Sequence, residues 1–512
     1  MMGKIKPTNK WIAGGAGVLA AAAMTHAAHA QTSNPLIDTL IKKGILTQEE
    51  AEAIKKEAGA NAVSTAASKW KISNGIKSVE LFGDLRFRYE YRSAEAIDST
   101  GKTLGNLTRD RLRYAFRFGI RGDLLDNFYY GFRLETSQNS RSPWVTFADE
   151  NSFPFAGPSA KTSDGINIGQ VYLGWKPASW VDLTVGRMPN PLYITPMVWD
   201  NDIMPEGLAE RFKFTVAGDR VDLFANFGQF IYQDITPDHG ILGIFPGAGN
   251  NIPFLLAWQL GATYHFNKEI SAKVAPVLYN YTGHGQSPNN VGFSDPFVGQ
   301  GGPNGGNYPI GITSTGSAPL LNQTGINDLL VLEVPGEFNF PIGKLNGRLF
   351  GDFGYNFRGN ARANNAAAAA AAAPPPGPYP FAAQTGQNKA YQVGFGIGNN
   401  TPSSYGPMAG VVYGSVAKKG SWEARAYWQH IEQYALDVNL IDSDFFEGRG
   451  NLEGAYAALG YNVSDNVIAT VRGGYADRIN KKLGTGGINQ DLPWLNPITR
   501  YKLLQVDLTY RF

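Results

Sequence analysis

The run Tyr501 to Phe512 (YKLLQVDLTYRF) sets Leu504, Val506, Leu508, Tyr510 and Phe512 on one face and Gln505, Asp507, Thr509 and Arg511 on the other. Period two belongs to strands, because successive side chains of a pleated chain point to opposite faces. A strand that closes a barrel in lipid must show hydrocarbon an unbroken apolar row while its other face meets water. The same alternation recurs along the chain, so the expected fold class is all-β: a transmembrane antiparallel β-barrel.

The first thirty residues read as a cleavable secretory signal peptide. Lys4, Lys6 and Lys10 form its charged start, Trp11 to Met24 its apolar stretch, and Ala28-His29-Ala30 a small-x-small cleavage site, so the mature chain is expected to begin at Gln31. The chain has no cysteine, which excludes disulfides and lipid attachment at a cysteine. Downstream there is no run of about 18 consecutive apolar residues, which excludes a helical membrane span. The 43 acidic and 45 basic side chains leave a formal charge of +2, too little to argue for nucleic acid.

Residues 31–60 read as a periplasmic helical module of two short helices around Gly44, with Thr47 and Glu50 forming a capping box for the second. Residues 61–78 read as a polar linker, and 79–512 as the barrel. Period-two segments fall at about 80–91, 109–122, 128–137, 166–176, 181–187, 211–217, 221–230, 256–266, 270–282, 328–340, 347–358, 389–398, 422–435, 453–463, 467–477 and 501–512, sixteen in all. An even count suits a single-chain bacterial barrel. Short connectors alternate with long ones such as Met188 to Glu210 and Leu436 to Leu452. With both ends of the barrel in the periplasm, every long connector falls outside the cell. Met408 to Ala417 breaks this pattern as a candidate further strand, and Asn399 to Ala417 is read as part of one irregular crossing or a periplasmic excursion. Ala366 to Ala373, eight alanines followed by Pro374 to Pro376, reads as a low-complexity external tip.

Inside the barrel the charges are concentrated on one wall. On the second segment Leu112, Tyr114, Phe116, Phe118 and Ile120 belong toward lipid, which turns Arg111, Arg113, Arg117 and Arg121 inward, since an arginine facing lipid costs about 2–4 kcal/mol at the midplane. Arg86 and Arg88 on the first segment and Arg133 on the third join them as candidate pore-lining residues. Two readings stay open. The arginines form a basic ladder that attracts anions, or they pair with Asp84, Glu90 and Glu135 across adjacent strands and stiffen the wall. The connector Met188 to Glu210 (MPNPLYITPMVWDNDIMPEGLAE) is stiffened by four prolines and carries Trp199, Asp200, Asp202 and Glu206. It is read as a constriction loop that folds into the lumen, with an external loop packed on the rim as the other reading. Asp200 and Asp202 alone are too weak a pattern for a metal, and neither a metal nor a cofactor is expected.

Val181 to Tyr193 (VDLTVGRMPNPLY), Val198 to Ala209 (VWDNDIMPEGLA), Lys418 to Trp428 (KKGSWEARAYW) and the aromatic end of the chain are similar to the Putative porin family of Gram-negative bacteria, and more distantly to phosphate-selective porins. The resemblance covers nearly all of Val79 to Phe512. It implies a barrel of sixteen or eighteen strands in the outer membrane, trimeric, passing small solutes or ions by diffusion. The lysine-rich loop cluster of phosphate pores is not evident. Tyr510 and Phe512 resemble the C-terminal signal read by the barrel assembly machinery of bacteria.

An enzyme is not expected: His239, His265, His284 and His430 sit in no nucleophile motif, and Gly299 to Gly306 lacks the Lys and Ser/Thr of a phosphate-binding loop. The residues point to an outer-membrane diffusion porin that is general or mildly anion-favouring. The alternative is a plugged barrel acting as an adhesion or envelope tether protein.

Overall fold

The computed structural model describes residues 47, 49–51, 73–97, 103–137, 142–147, 165–232, 254–282, 329–372, 384–399, 418–438, 440–481, 483, 485 and 498–512. The signal peptide, most of the helical module and most of the linker lie outside these residues. The chain divides into two units, Met1–Asn74 and Gly75–Phe512. In the first, the capping box is formed: the Glu50 backbone N–H donates to Thr47 Oγ1 at 3.2 Å and the Thr47 backbone N–H donates to Glu50 Oε2 at 2.9 Å. The Thr47 N–H, and the Thr47 hydroxyl donating to the same oxygen at 2.9 Å, hold the Glu50 carboxyl below its ordinary range.

In the second unit the described residues form one sheet of nineteen strands. It begins with β1 (Glu80–Ile97), β2 (Thr103–Asp123) and β3 (Phe128–Ser137), with the two-residue β4 (Val145–Thr146) set against β2. Then come β5 (Gly165–Ala178), β6 (Val181–Arg187), β7 (Glu206–Val216), β8 (Val221–Ile231) and β9 (Phe254–His265). The next two crossings are each in two pieces, β10 (Ser271–Val274) with β11 (Val277–Tyr281), and β12 (Leu330–Glu333) with β13 (Gly336–Ile342). The circuit is completed by β14 (Leu345–Asn356), β15 (Lys389–Gly398), β16 (Trp422–Ile431), β17 (Leu452–Asn462), β18 (Val467–Arg478) and β19 (Ile498–Arg511).

Each of the sixteen crossings is antiparallel to its neighbours, and β19 pairs with β1, so the barrel is closed. All sixteen coincide with the period-two segments. The two broken crossings are each interrupted at a proline, Pro276 and Pro335, which has no N–H to give to a ladder. The breaks lie side by side, and the Ala275 N–H donates to the Pro335 carbonyl at 3.0 Å. β15 and β16 pair directly. Both readings of Asn399 to Ala417 concern residues 400–417, which lie outside the described ones. Ala366 to Ala372 of the alanine run lie in a helix, Gly359–Ala372. Alanine has the best intrinsic helix propensity, and the prolines that follow cannot extend it.

The outer wall is apolar: Leu112, Val171, Leu260, Val393 and Leu504 are all exposed on it. Near the short turns rings stack along it, Phe128 on Trp175, Trp180 on Phe214, and Tyr264 edge-on to Phe266. Such a band with an aromatic border is what a barrel in a bilayer requires. No helix among the described residues is long and apolar enough to cross a membrane.

The ring closes over a glycine. Gly83 and Phe512 exchange backbone hydrogen bonds of 3.0 and 3.1 Å. A Cβ at Gly83 would lie 2.6 Å from the Phe512 ring and 2.3 Å from the Arg117 carbonyl oxygen. Gly83→Val is therefore expected to oppose closure by at least about 1–3 kcal/mol of overpacking. The folded band that unheated samples give in SDS gels should weaken sharply, and wild-type folding of the variant would remove Gly83 from this role.

Candidate functional site

Two connectors turn into the barrel. Residues 188–205, the loop between β6 and β7, run from Met188 to Asp200 with most side chains buried. The strand faces it crosses supply its partners. Gln259 on β9 binds both backbone groups of Tyr193, accepting from its N–H at 2.8 Å and donating to its carbonyl at 2.7 Å. The Thr195 N–H donates to Glu333 on β12 at 3.2 Å, and the Thr195 hydroxyl donates to Asp352 on β14. Arg117 on β2 binds Asp202 from the opposite side. Trp199 packs edge-on to Phe230 at 5.9 Å and donates its indole N–H to the Ile203 carbonyl. Trp199, Asp200 and Asp202 thus all lie inside the barrel, whereas Glu206 does not belong to this loop. It is the first residue of β7, half exposed and bonded to Arg187 at 2.8 Å, because the strand starts earlier than its apolar alternation suggests. Gly186 and Gly207 face each other where the loop leaves and rejoins the wall, and both have positive φ that a side chain would strain.

Residues 432–451, the loop between β16 and β17, also turn inward. Leu436, Val438, Leu440, Ile441, Phe445 and Phe446 are buried. This loop was not read from sequence as a part of the interior. Six large apolar side chains in a connector are the signal that was available, since an external loop tip has nowhere to bury them. The two loops interlock: the Asp200 N–H donates to the Leu440 carbonyl at 2.5 Å, the Asp442 N–H to the Pro196 carbonyl at 3.0 Å, and the Ser443 N–H to Asp200 Oδ2 at 3.1 Å. Residues 142–147 continue the wall beside β2, and from them Trp144 reaches inward, its ring centroid 4.0 Å from the Arg88 guanidinium.

The candidate arginines face the interior, but most are covered. Arg88 is only 2% exposed and Arg113 5%, because the inward loops lie over them. Arg121, paired with Glu80 near the short turns, remains half exposed. Carboxylates are threaded through the group. Glu90 lies 3.0 Å from Arg92 and 2.6 Å from Arg111 Nε, with Arg88 and Arg113 each at 3.7 Å. Arg88 makes a two-pronged bond to Asp507 on β19, at 2.7 and 3.0 Å. Arg86 binds Asp84, and Arg133 binds Glu135 at 2.8 Å. Part of the compensation comes from the loops, since Asp444 bonds Arg88 at 2.8 Å and Arg472 at 3.2 Å, and Asp202 takes Arg117. An uncompensated buried guanidinium costs several kcal/mol, so the wall holds the loops as much as the loops cover the wall.

Where the loops meet, carboxyl groups crowd. Burial, then the charges of Asp442 and Asp202, push Asp200 well above its ordinary range. Burial and the neighbouring Asp444 push Asp442 up to about 7. Burial alone would raise Asp444 too, but Arg88, Arg472 and Arg92 hold it down to about 2. Asp444→Ala is expected to cost about 1–3 kcal/mol, since Arg88 and Arg472 keep Asp507 but lose the loop carboxylate they share, seen as a lower urea midpoint in detergent.

An acid whose folded pKa is raised stabilises the interlock while protonated and loses that contribution as pH climbs through the folded value. Asp442, facing Asp200 and Asp444 with Arg472 beyond, should thus hold the loops more firmly at pH 5.5 than at pH 8. A nitroxide on Asn201→Cys, the chain's sole cysteine once introduced, should be more mobile at pH 8, and Asp442→Asn should erase the difference. A line shape identical at both pH values in the wild type would show that Asp442 does not govern the loops.

Residues 67–295 match the family described as Putative porin. No curated protein matches the chain. Among solved structures, the outer membrane channel DcaP of Acinetobacter baumannii is similar at 12% identity and a TM-score of 0.40, over 86% of this chain and 99% of that one. OprB of Pseudomonas putida is similar at 10% identity and a TM-score of 0.44, over 88% and 97%. A porin of Rh. blastica is similar at 10% identity and a TM-score of 0.35, over 85% and 100%.

Proposed function

We propose that this protein is an outer-membrane porin, a channel for passive diffusion of small hydrophilic solutes with a mild preference for anions. The observation that carries this reading is the closed sixteen-crossing barrel with an apolar outer wall and a charged inner one, and the match of residues 67–295 supports it. Hydrocarbon outside and ionic groups inside are a sensible pairing only if water reaches the interior. The loop 188–205, with Trp199, Asp200 and Asp202, would then narrow the passage, and the loop 432–451 would narrow it further. The arginines Arg86, Arg88, Arg111, Arg113, Arg117, Arg121 and Arg133 favour anions to the extent that their carboxylate partners leave their field uncancelled. Tyr510 and Phe512 are read as the assembly signal, the signal peptide as the route to the envelope, and a homotrimer as the working form.

The interlocked loops favour a second reading, in which the barrel is plugged and serves as an adhesion or envelope tether protein. Purified protein in a planar bilayer separates the two. Stepwise conductance with a reversal potential favouring chloride across a KCl gradient is expected. Substituting Arg111, Arg113 and Arg117 together should reduce that preference, and unchanged selectivity would remove the arginine wall from the mechanism. Cation preference would move the filter to Asp200 and Asp202, and folded protein without conductance would support the plug.

A further inference from the structure

Beneath the loop 188–205, toward the short turns, lies a cavity of about 610 Å³. Asn190 to Tyr193 form its roof, and its wall is built by β5 to β10. Three ammonium groups reach it from three strands: Lys176 on β5, Lys213 on β7 and Lys273 on β10.

Two carboxylates, Asp182 and Asp222, line the cavity with them, and both have other partners. Asp182 takes Arg211 and the Tyr129 hydroxyl, while Asp222 lies 3.0 Å from the His265 ring and accepts from Thr215 at 2.7 Å. Glu337 stands across the ladder from Lys273 and has Arg348 at 3.7 Å. Among the described residues, no carboxylate comes within 4.0 Å of any of the three lysines, in contrast to the arginines of β1 to β3. What the lysines do meet are ring faces. Lys273 Nζ lies 3.7 Å from the Tyr193 ring centroid and 5.4 Å from that of Phe224, and Lys176 Nζ lies 4.8 Å from Tyr129. A ring face attracts the cation without using up its N–H donors, so these ammonium groups stay able to bind an anion.

We propose that this cavity binds a small organic anion with an apolar body, of which an aromatic carboxylate is the simplest example. Lys213 and Lys273 take the carboxylate, and Tyr193 and Phe224 cover the body. Asn226 and Thr263 supply neutral polar contacts at its edge. The volume falls within the roughly 300–1,000 Å³ of small-molecule sites and far exceeds what chloride or acetate fills. A simple inorganic ion would satisfy the lysines and leave the rings bare, so the composition of the lining selects for both halves of the ligand. The roof is part of the inward loop, which places the site directly on the path of a solute that has passed it. The proposal deepens the channel reading by naming a class of solute, and its test does not need the barrel to conduct.

Isothermal titration calorimetry on the full chain folded in detergent, with benzoate, acetate and benzamide as probes, decides the matter. Benzoate should bind at least ten-fold more tightly than either acetate, which lacks the ring, or neutral benzamide, which lacks the charge. Lys213→Met with Lys273→Met should weaken benzoate at least ten-fold. Should that double variant fail to fold, Lys213→Gln alone changes an exposed side chain and should weaken benzoate several-fold. Equal heats for benzoate and acetate, or wild-type benzoate affinity in the lysine variants, would overturn the site. Benzoate binding in protein that does not conduct would leave the site intact while removing the channel, and conductance without benzoate binding would do the reverse.

Discussion

In hydrocarbon no water is available to satisfy a backbone N–H or carbonyl, and each one left unpaired costs several kcal/mol. The circular ladder from β1 through β19 and back to β1 meets that constraint completely, since a closed sheet has no edge. Much else follows from closure. The strands must alternate, because one face meets lipid and the other the interior. Phe512 must extend the ladder beside Gly83, where any larger residue would collide with its ring. Two crossings tolerate a proline because their interruptions are adjacent and the Ala275 N–H still finds a carbonyl across the gap.

Closing sixteen crossings creates a wide interior that the strands' own side chains cannot fill. Two connectors occupy part of it, and two kinds of force hold them. Loop 188–205 is fastened mainly by neutral or singly charged hydrogen bonds, to Gln259, Glu333 and Asp352. Loop 432–451 brings a greasy core of its own and one carboxylate, Asp444, that bridges Arg88 and Arg472. The arginine wall is therefore both a candidate filter and a fastening. These roles compete, because each carboxylate that secures a loop also cancels some of the field a passing anion would feel. Among the described residues Lys176, Lys213 and Lys273 have no carboxylate within 4.0 Å, and Lys176 and Lys273 lie over aromatic rings instead.

The helix at Gly359–Ala372 and the early start of β7 show how local and global preferences divide. Eight consecutive alanines carry no amphipathic pattern to announce a packed helix, yet their backbone preference suffices once the flanking strands fix the ends. At Glu206 the reverse holds: pairing with β6 draws into the ladder a residue whose own alternation does not announce a strand.

By itself the sequence determined the period-two crossings and their even number, the inward direction of Arg86, Arg88, Arg111, Arg113, Arg117, Arg121 and Arg133, and the capping box at Thr47 and Glu50. All of these are local, depending on which face a side chain takes or which residue lies three positions away. Only the tertiary structure decided where the long connectors go, that Asp444 and Asp202 complete a charge network begun on β1 and β2, and that Lys176, Lys213 and Lys273 share one cavity. Asp444 and Arg88 lie hundreds of residues apart, and the three lysines belong to strands that alternate alike and carry no common motif. Their meeting depends on the closure of the ring and on which loops it admits, neither of which any single segment encodes.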